Sequence, residues 1–250
     1  MRLSIISINY NNLPGLQATA ASVWAQTARA DFEWIVVDGG SRDGAFEWLT
    51  EHQSHIDHWV SEPDRGLYDA MNKGLAMAKG DYVWFLNSGD RIHAADVAEG
   101  ILNLAGEPDV IFGDTCFVEP NGRSLGLISK LKPQPLPLRL GPSSFRFGMN
   151  LCHQSFLVKR SLAPTYDLAY KLAADIDWIV RILKRSPSSV RTDFVIADFE
   201  VGGSSYQHTR KAWKERYAVL SGHYGSVSNF FAHIWIFLRR ILFQLKVYKP

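Results

Sequence analysis

Cysteine is scarce in this 250-residue sequence, which contains only Cys116 and Cys152. Two cysteines are too few for a disulfide framework or a four-ligand zinc site, so we expect both to be buried, reduced thiols of a cytosolic protein. The sequence also has no large excess of positive or negative charge. The formal net charge is +2, which gives no general case for a nucleic-acid partner.

Long apolar runs are also missing, and a helix that spans a bilayer needs about 20 such residues. The N-terminal run is too short for a signal peptide and ends at Asn9, Asn11 and Asn12, so we interpret it as a first strand and expect a cytoplasmic protein. No Gly-x-Gly-x-x-Gly loop follows it, which disfavours a dinucleotide site. Length and composition predict one large α/β domain, or one domain with a small appendage.

Strand and helix patterns alternate over the first ninety residues. Short apolar runs predict strands at 3–8, 34–37, 59–60, 82–86, 110–112, 155–158 and 195–199. Helices are predicted at 14–26, 44–52, 67–79 and 173–184. A proline-rich loop over the surface is expected at 132–142. The alternation predicts an α/β fold with a mostly parallel central sheet and helices on both faces.

Polar residues stand where the predicted strands end. They are Asn9, Asp38, Asp64, Asn87, Asp90 and Asp114. In open parallel sheets, ligands bind outside the carboxyl ends of the strands. Acids gathered at one edge repel one another, and a cation or a polar ligand would relieve that repulsion. The sequence therefore predicts a ligand site at this edge.

Two of these turns carry the chemistry. In the turn at 38–44, Asp38 can accept hydrogen bonds from a ribose or a base edge; the alternative is a polar turn in which Asp43 caps the next helix. In the turn at 87–90, Asp90 is a candidate ligand for Mg²⁺ or Mn²⁺, and the alternative is a turn closed by its own side chains. Spacing alone leaves both alternatives open.

Asp175 and Asp177 lie at the start of the predicted helix at 173–184. Residues two apart do not share a helix face, so at most one of them faces a given pocket. That residue would be a general base. The alternative, which spacing alone favours, is that both acids cap the helix and complement its dipole.

Several segments, in this order along the chain, together resemble the family 2 glycosyltransferases, an inverting family with the GT-A nucleotide-diphospho-sugar transferase fold. The resemblance is closest to enzymes of bacterial exopolysaccharide clusters, such as the colanic-acid type. The segments are 4–10, 36–41, 61–74, 85–90, 153–155 and Asp175. Ordered blocks of this kind are far more specific than any one block alone.

The resemblance implies a role for each matching residue. It places the nucleotide against Asn9, Tyr10, Asp38, Asp43, Asp64 and Asn72. It places the donor diphosphate and its metal at Asn87, Ser88 and Asp90, with Asp90 as the metal ligand because Asn87 replaces an acid often found there. His153 and Gln154 match a pocket for the donor sugar or the acceptor, and for His153 a structural, hydrogen-bonded role stays open. Asp175 matches the catalytic base.

The expected activity is transfer of a sugar from a nucleotide-diphosphate donor to a saccharide, with the acceptor linked to a polyprenyl lipid. Two alternatives remain. A degenerate nucleotide-sugar-binding module would keep Asp38 but has no need of Asp90 and Asp175. A nucleotidyltransferase usually has a glycine- and arginine-rich loop after the first strand, where this sequence has residues 10–14.

The C-terminal segment, 226–250, differs from the expected catalytic domain at 1–225. It mixes apolar, aromatic and basic residues, which is typical of a helix lying in a membrane interface. Residues 208–250 contain eight lysines or arginines and one acid, Glu215, a balance that suits the anionic inner face of the cytoplasmic membrane. The alternative is a helix packed on its own domain or on a partner chain.

Overall fold

A nine-stranded sheet forms the centre of the computed structural model, which describes residues 2–104, 106–148, 151–202 and 208–247. Its strands are β1 (Leu3–Asn9), β2 (Phe32–Asp38), β3 (His58–Ser61), β4 (Tyr82–Phe85), β5 (Arg91–Ile92), β6 (Val110–Val118), β7 (Ser124–Leu127), β8 (Phe156–Lys159) and β9 (Ser189–Glu200). The helices are α1 (Leu13–Trp24), α2 (Ala45–Glu51), α3 (Leu67–Met77), α4 (Val97–Leu102), α5 (Ile128–Leu131), α6 (Ala174–Leu183), α7 (Thr209–Tyr224) and α8 (Ser226–Val247).

The strand directions decide which residues meet at one edge. The order is β3-β2-β1-β4-β8-β6-β9-β5, with β7 also paired to β6. Strands β3, β2, β1 and β4 are parallel, β8 is antiparallel to both β4 and β6, and β9 is parallel to β6. The carboxyl ends of β1–β4, β6 and β9 therefore share an edge with the amino end of β8. The predicted mostly parallel sheet is confirmed.

Hydrophobic layers cover both faces of the sheet because side chains alternate along each strand. In β1, Ile5 packs in the layer beneath α1, α2 and α4, while its neighbour Ile6 packs in the layer beneath α3, α6 and α7. Three tryptophans, Trp34, Trp84 and Trp178, are fully buried in these layers. Helices lie on both faces, as the sequence predicts.

The second half differs from the prediction in two places. Strand β6 does not end at Phe112 but continues to Val118, so the prediction that Asp114 follows a strand was wrong. Asp114 instead accepts a hydrogen bond from the Ser129 hydroxyl. The loop at 132–142 contains neither helix nor strand, but it is not only a surface segment, since Leu136 and Leu140 are buried in the core.

The two C-terminal helices pack against each other. Asn229 on α8 donates hydrogen bonds to the Tyr217 carbonyl and the Ser221 hydroxyl of α7. The opposite side of α8, here called the apolar face, is exposed and consists of Val227, Phe230, Phe231, Ile234, Trp235, Phe237, Leu238, Ile241, Leu242 and Leu245. None of the helices in the described ranges is both long and apolar enough to cross a bilayer.

Candidate active site

A cavity of about 1490 Å³ opens at the sheet edge where the parallel strands end. It is large enough for a nucleotide with an attached sugar, because pockets for drug-sized ligands occupy roughly 300–1,000 Å³. Eight of the predicted site residues line it: Tyr10, Asp64, Asn87, Ser88, Asp90, His153, Gln154 and Asp175. The strand directions bring these distant residues together, and the start of the antiparallel β8 brings His153 and Gln154 to the same edge.

Asp38 lies beneath one end of the cavity rather than in its wall. Its carboxylate is fully buried and accepts hydrogen bonds from Asn9, from the hydroxyls of Ser41 and Ser61, and from the backbone N–H groups of Gly40 and Ser41. Burial alone would raise the pKa of Asp38, but these bonds, led by those from Ser41 and Ser61, hold it below the ordinary value of 3.8. In this structure Asp38 shapes the turn, and its five donors leave little capacity for a nucleotide.

The turn that Asp38 holds presents a narrow slot. A Cβ built on Gly39 would lie 2.5 Å from the Asp64 carboxylate and 3.1 Å from the Tyr10 ring, so a larger residue there would displace the Asp64 side chain. Tyr10 is 66% exposed and flanks the opening. Asn9 is buried under the slot, where its Nδ2 binds Asp38 and its Oδ1 has no hydrogen-bond partner within the described chain. The exposed Tyr10 ring therefore offers a flat surface beside the slot.

Two predicted nucleotide residues have structural contacts and do not line the cavity. The Asp43 carboxylate accepts hydrogen bonds from the backbone N–H groups of Leu13 and Ala45, at 2.7 and 3.3 Å, and so holds the starts of α1 and α2. Asn72 exchanges two hydrogen bonds with the backbone of Tyr166, at 3.0 and 2.7 Å. Both side chains support the walls of the site, and a nucleotide contact for either stays a prediction.

Oxygen atoms gather where β4 ends. Asn87 Oδ1 and Ser88 Oγ are buried without a hydrogen-bond partner among the described residues. Asp90, 4% exposed, accepts one bond from Gln154 Nε2 at 2.9 Å and another from the Glu200 backbone N–H at 3.1 Å. Burial raises the pKa of Asp90 to about 7 despite these bonds, and the nearby Glu200 carboxylate adds to the effect.

This oxygen set fits a hard divalent cation. Within the described ranges, no group of three or more histidine, cysteine or acidic side chains is placed to hold a metal. Mg²⁺ and Mn²⁺, however, need only one or two protein carboxylates and take water and substrate phosphate oxygens at their other positions. Asp90 with the unpartnered oxygens of Asn87 and Ser88 supplies such a partial set. A cation would also favour the ionised form of the buried carboxyl.

His153 and Gln154 lie side by side at the start of β8 but differ in their contacts. Gln154 binds Asp90 through its side chain, and its carbonyl accepts the Trp84 indole N–H at 2.7 Å. His153 is 5% exposed, shares a 2.8 Å hydrogen bond with the Tyr166 hydroxyl, and packs among aromatic rings. Burial lowers the pKa of His153 to about 3, so the ring is neutral. It serves as a rigid part of the wall.

Asp175 and Asp177 have different surroundings. Asp175 lines the cavity, half-buried, and accepts a hydrogen bond from the Tyr68 hydroxyl at 3.2 Å. Burial raises the pKa of Asp175. Hydrogen bonds from the Ile176 N–H and from Tyr68, together with the charge of Arg216, offset part of this rise. Asp177 does not line the cavity and instead binds His223 on α7 at 2.8 Å and Arg181 at 2.7 Å. The geometry assigns Asp175 to the cavity and Asp177 to packing.

Sequence reasoning missed several charged or polar residues of the cavity, among them Tyr68, Lys132, Glu200 and Arg216. Tyr68 stands inside a segment already identified by resemblance, and its place in the first turn of α3 was the available signal. Arg216 comes from α7, which was not predicted, and Lys132 from the loop interpreted as a surface segment. Only tertiary packing brings these two cations to the site.

The comparisons with known proteins agree with this geometry. Residues 4–162 match the family model described as Glycosyl transferase family 2. An uncharacterized glycosyltransferase of Mycobacterium tuberculosis is 38% identical over 207 residues, which cover 80% of this chain and 76% of that protein. A PGL/p-HBAD biosynthesis glycosyltransferase of Mycobacterium bovis is 29% identical over 224 residues, covering 85% of this chain and 82% of the relative.

Solved structures show the same fold at low sequence identity. A TarS fragment of S. aureus, in complex with UDP-GlcNAc, superposes with a TM-score of 0.70 at 15% identity, covering 89% of this chain and 66% of that one. The mannosyltransferase PcManGT from Pyrobaculum calidifontis, in complex with GDP-Man and Mn²⁺, gives a TM-score of 0.63 at 17% identity, covering 100% of this chain and 76% of that one. The fold is that of the GT-A transferases.

Proposed function

This chain belongs to glycosyl transferase family 2, and we propose that it transfers a sugar, with inversion, from a nucleotide-diphosphate donor to a lipid-linked saccharide in the synthesis of a bacterial surface polysaccharide. One observation carries the proposal. A single cavity contains the exposed Tyr10 ring beside Gly39, an oxygen set at Asn87–Asp90, and the Asp175 carboxylate. These are the three features that base binding, diphosphate binding and proton removal require.

Asp175 provides the base in this proposal. An acceptor hydroxyl has a high pKa and attacks poorly unless its proton is removed as the new bond forms. The raised pKa of Asp175 makes its carboxylate a stronger base than an exposed aspartate. The Tyr68 hydroxyl, whose pKa burial keeps well above 10.0, remains a donor and orients the carboxylate. One displacement from the Asp175 side inverts the anomeric carbon without a covalent intermediate.

The leaving diphosphate belongs at the opposite part of the cavity, by Asp90. Mg²⁺ or Mn²⁺ held there by Asp90, with Asn87 and Ser88 beside it, would neutralise charge that develops on the departing phosphates. Gln154 and the Glu200 N–H fix the Asp90 carboxylate, so its orientation is set before a substrate arrives. Buried placement strengthens each of these electrostatic interactions.

The two alternatives have less support. This chain lacks the glycine- and arginine-rich loop that a nucleotidyltransferase usually has after its first strand. The residues after β1 instead form the Tyr10 side of the slot. A binding module without turnover has no use for Asp175, whose burial in the cavity raises its pKa and so costs free energy when it ionises. Both observations favour an enzyme.

The first test is a donor screen. With Mn²⁺ present, we expect the full chain to release UDP from UDP-sugars or GDP from GDP-linked sugars, including GDP-linked deoxy sugars, and to do so faster with an acceptor. Nucleoside diphosphate release is followed by a coupled assay, and NMR of the product gives the anomeric configuration. The absence of release from every donor, in a protein that binds nucleotide, would favour the binding module.

We also propose that the chain lies on the inner face of the cytoplasmic membrane through α8. Its apolar face has ten exposed hydrophobic side chains, and such large patches on soluble proteins usually mark an interaction surface. Arg210, Lys211 and Lys214 on the adjoining α7 are exposed and add positive charge. Arg239 is not available, because it binds Gln134 and the Phe147 carbonyl.

Replacing Phe231, Trp235 and Leu238 by serine should abolish binding to vesicles that contain anionic phospholipid. Each buried aromatic or leucine side chain contributes about 1.5–3 kcal/mol, so the triple variant should bind at least ~100-fold more weakly. Co-sedimentation measures this. Gln244→Ser is the matched control, since Gln244 is exposed on the same helix but polar. Equal sedimentation of the triple variant and the wild type would contradict the membrane proposal and favour a partner chain.

A further inference from the structure

Lys132 and Arg216 are two of the three lysines and arginines of the described chain that line the cavity; the third, Arg42, is exposed in the turn beside Gly40. Among the described residues, neither the Lys132 ammonium nor the Arg216 guanidinium has a hydrogen bond or an ion pair, although each approaches an aromatic ring, that of Phe117 at 5.9 Å and that of Trp213 at 6.0 Å. Arg216 Nε is buried and unsatisfied. The sequence has no Asp or Glu at 149–150 or 203–207, so these segments contain no carboxylate for them.

The two cations are close to each other and to the base. Burial lowers the pKa of Lys132, and the charge of Arg216 lowers it further. The charge of Arg216 in turn offsets part of the rise that burial causes in the pKa of Asp175. Asp64, Asp90 and Glu200 also line the cavity, but within the described chain neither Lys132 nor Arg216 forms an ion pair with them. Two partly buried cations that lack an ion pair are costly unless an anion binds there.

The placement of Arg216 is enforced by the fold. Glu215, the next residue on α7, accepts the backbone N–H groups of Lys171 and Leu172, at 2.8 and 2.7 Å, just before α6. Farther along α7, His223 binds Asp177 of α6. These anchors fix α7 along the helix that carries Asp175. Arg216 is therefore held at the cavity, and its exposure there is not a consequence of a loose surface side chain.

Both cations belong to segments that contact α8. Arg216 lies on α7, which packs against α8. Lys132 begins the segment that α8 holds through Arg239, which binds Gln134 and the Phe147 carbonyl. Both charges therefore line the cavity that contains the base and belong to segments in contact with the helix that has the apolar face. In a lipid-linked saccharide, a phosphate lies between the sugar and the lipid.

We propose that Lys132 and Arg216 form a subsite for the phosphate that joins the acceptor's sugar to its lipid. The inference rests on the proposed function, because it takes Asp175 as the group that contacts the acceptor hydroxyl. In the proposed function, the donor diphosphate lies at the oxygens of Asn87–Asp90. The substrate class is thus a sugar attached to a lipid phosphate or diphosphate, rather than a neutral oligosaccharide.

Calorimetry with the donor site filled tests the subsite. The full chain is saturated with Mn²⁺ and UDP or GDP and titrated with dodecyl phosphate below its micelle concentration, with inorganic phosphate, and with dodecyl maltoside, which has the same tail but no anion. We expect dodecyl phosphate to bind more tightly than the other two probes. Arg216→Met and Lys132→Gln should each weaken its binding by at least ~10-fold.

Matched variants separate the subsite from other effects of lost charge. Arg185→Met, just after α6, and Lys130→Met on α5 remove exposed cations outside the cavity and should leave dodecyl phosphate binding unchanged. Arg216→Lys keeps the charge and should restore part of the binding. Because Lys132 lies on a different segment, Lys132→Gln gives a result even if Arg216→Met fails to fold.

Two outcomes would overturn the proposal. If the variants lose affinity for UDP or GDP, and phosphate cannot bind beside the nucleotide, the pair holds the donor diphosphate instead. If neither affinity changes, the pair binds no anion. Failure of the proposed function has a different signature, since the wild type would then bind nucleotide without turning over any sugar donor.

Discussion

Asp175→Asn should reduce turnover by about 10²- to 10⁴-fold, the usual contribution of a general base. The change removes the proton acceptor but keeps an oxygen that can accept the Tyr68 hydroxyl, so the cavity should keep its shape. Affinity for the nucleotide should stay within about twofold, because the loss falls on the transition state rather than on donor binding. Steady-state kinetics with the donor found in the screen measures the first effect, and calorimetry the second.

The stability of Asp175→Asn provides a further check on the same carboxylate. Because the pKa of Asp175 is raised in the folded state, its contribution to stability is present below the unfolded value near 3.8 and is lost as the pH rises through the folded pKa. The variant should therefore be at least as stable as the wild type at neutral pH in thermal unfolding. A less active and less stable variant would indicate a structural role for Asp175.

Asp177→Asn is the matched control on the same helix. Asp177 binds His223 and Arg181 and does not line the cavity, so its loss should reduce stability more than turnover. The pH profile also separates the two residues. Turnover of the wild type should rise with pH through the raised pKa of Asp175 and not with the lowered pKa of Asp177. Equal losses in the two asparagine variants would count against Asp175 as the base.

Asp90→Asn should lower metal-dependent turnover by two to three orders of magnitude, since a bound cation contributes several kcal/mol of charge stabilisation, roughly 10²- to 10³-fold in rate. Asparagine can keep the hydrogen bond to the Glu200 N–H, so the change removes charge with little change of shape. Titration of Mn²⁺ against turnover should show a weaker dependence on metal and a lower plateau.

Thr19→Ser is the control for the same loop. The Thr19 hydroxyl binds the Asp90 carbonyl at 2.7 Å and lies behind the loop, so serine keeps the bond and should leave the Mn²⁺ titration unchanged. Direct Mn²⁺ binding to Asp90→Asn, followed by electron paramagnetic resonance in the presence of UDP or GDP, tests the cause. Undiminished Mn²⁺ binding would contradict Asp90 as the metal ligand.

The part of the site built on β1–β4 was accessible from sequence because its signals are local. Apolar, β-branched runs mark each strand, and the rule for parallel sheets then places the residues after them at one edge. That reasoning located Tyr10, Asp64 and Asp90 in one cavity. The resemblance added Asp175, which spacing alone could not separate from a helix cap.

Other features depended on distant partners. The Asp38 turn was open to two interpretations because a ligand site and a helix cap use the same residue types. The structure shows that the Ser61 hydroxyl, 23 positions away, donates a hydrogen bond to the Asp38 carboxylate. Gly113 and Asp114 have low strand propensity, but pairing with β9 and the bond from Ser129 extend β6 past them. No sequence pattern marks Lys132 or Arg216 as a cavity residue, because an exposed lysine or arginine in a loop or helix has the same kind of sequence around it.

The family match ends close to the end of β8, and this boundary falls within the candidate site. The family match ends at residue 162, just after this strand, so the slot and the oxygen set fall inside the matched region while Asp175, Arg216 and α8 follow it. The proposed recipient features are therefore divided, because Lys132 lies inside the matched region while Asp175, Arg216 and α8 lie after it. Substitutions in the last third of the chain should thus change the choice of recipient while leaving the sugar source intact.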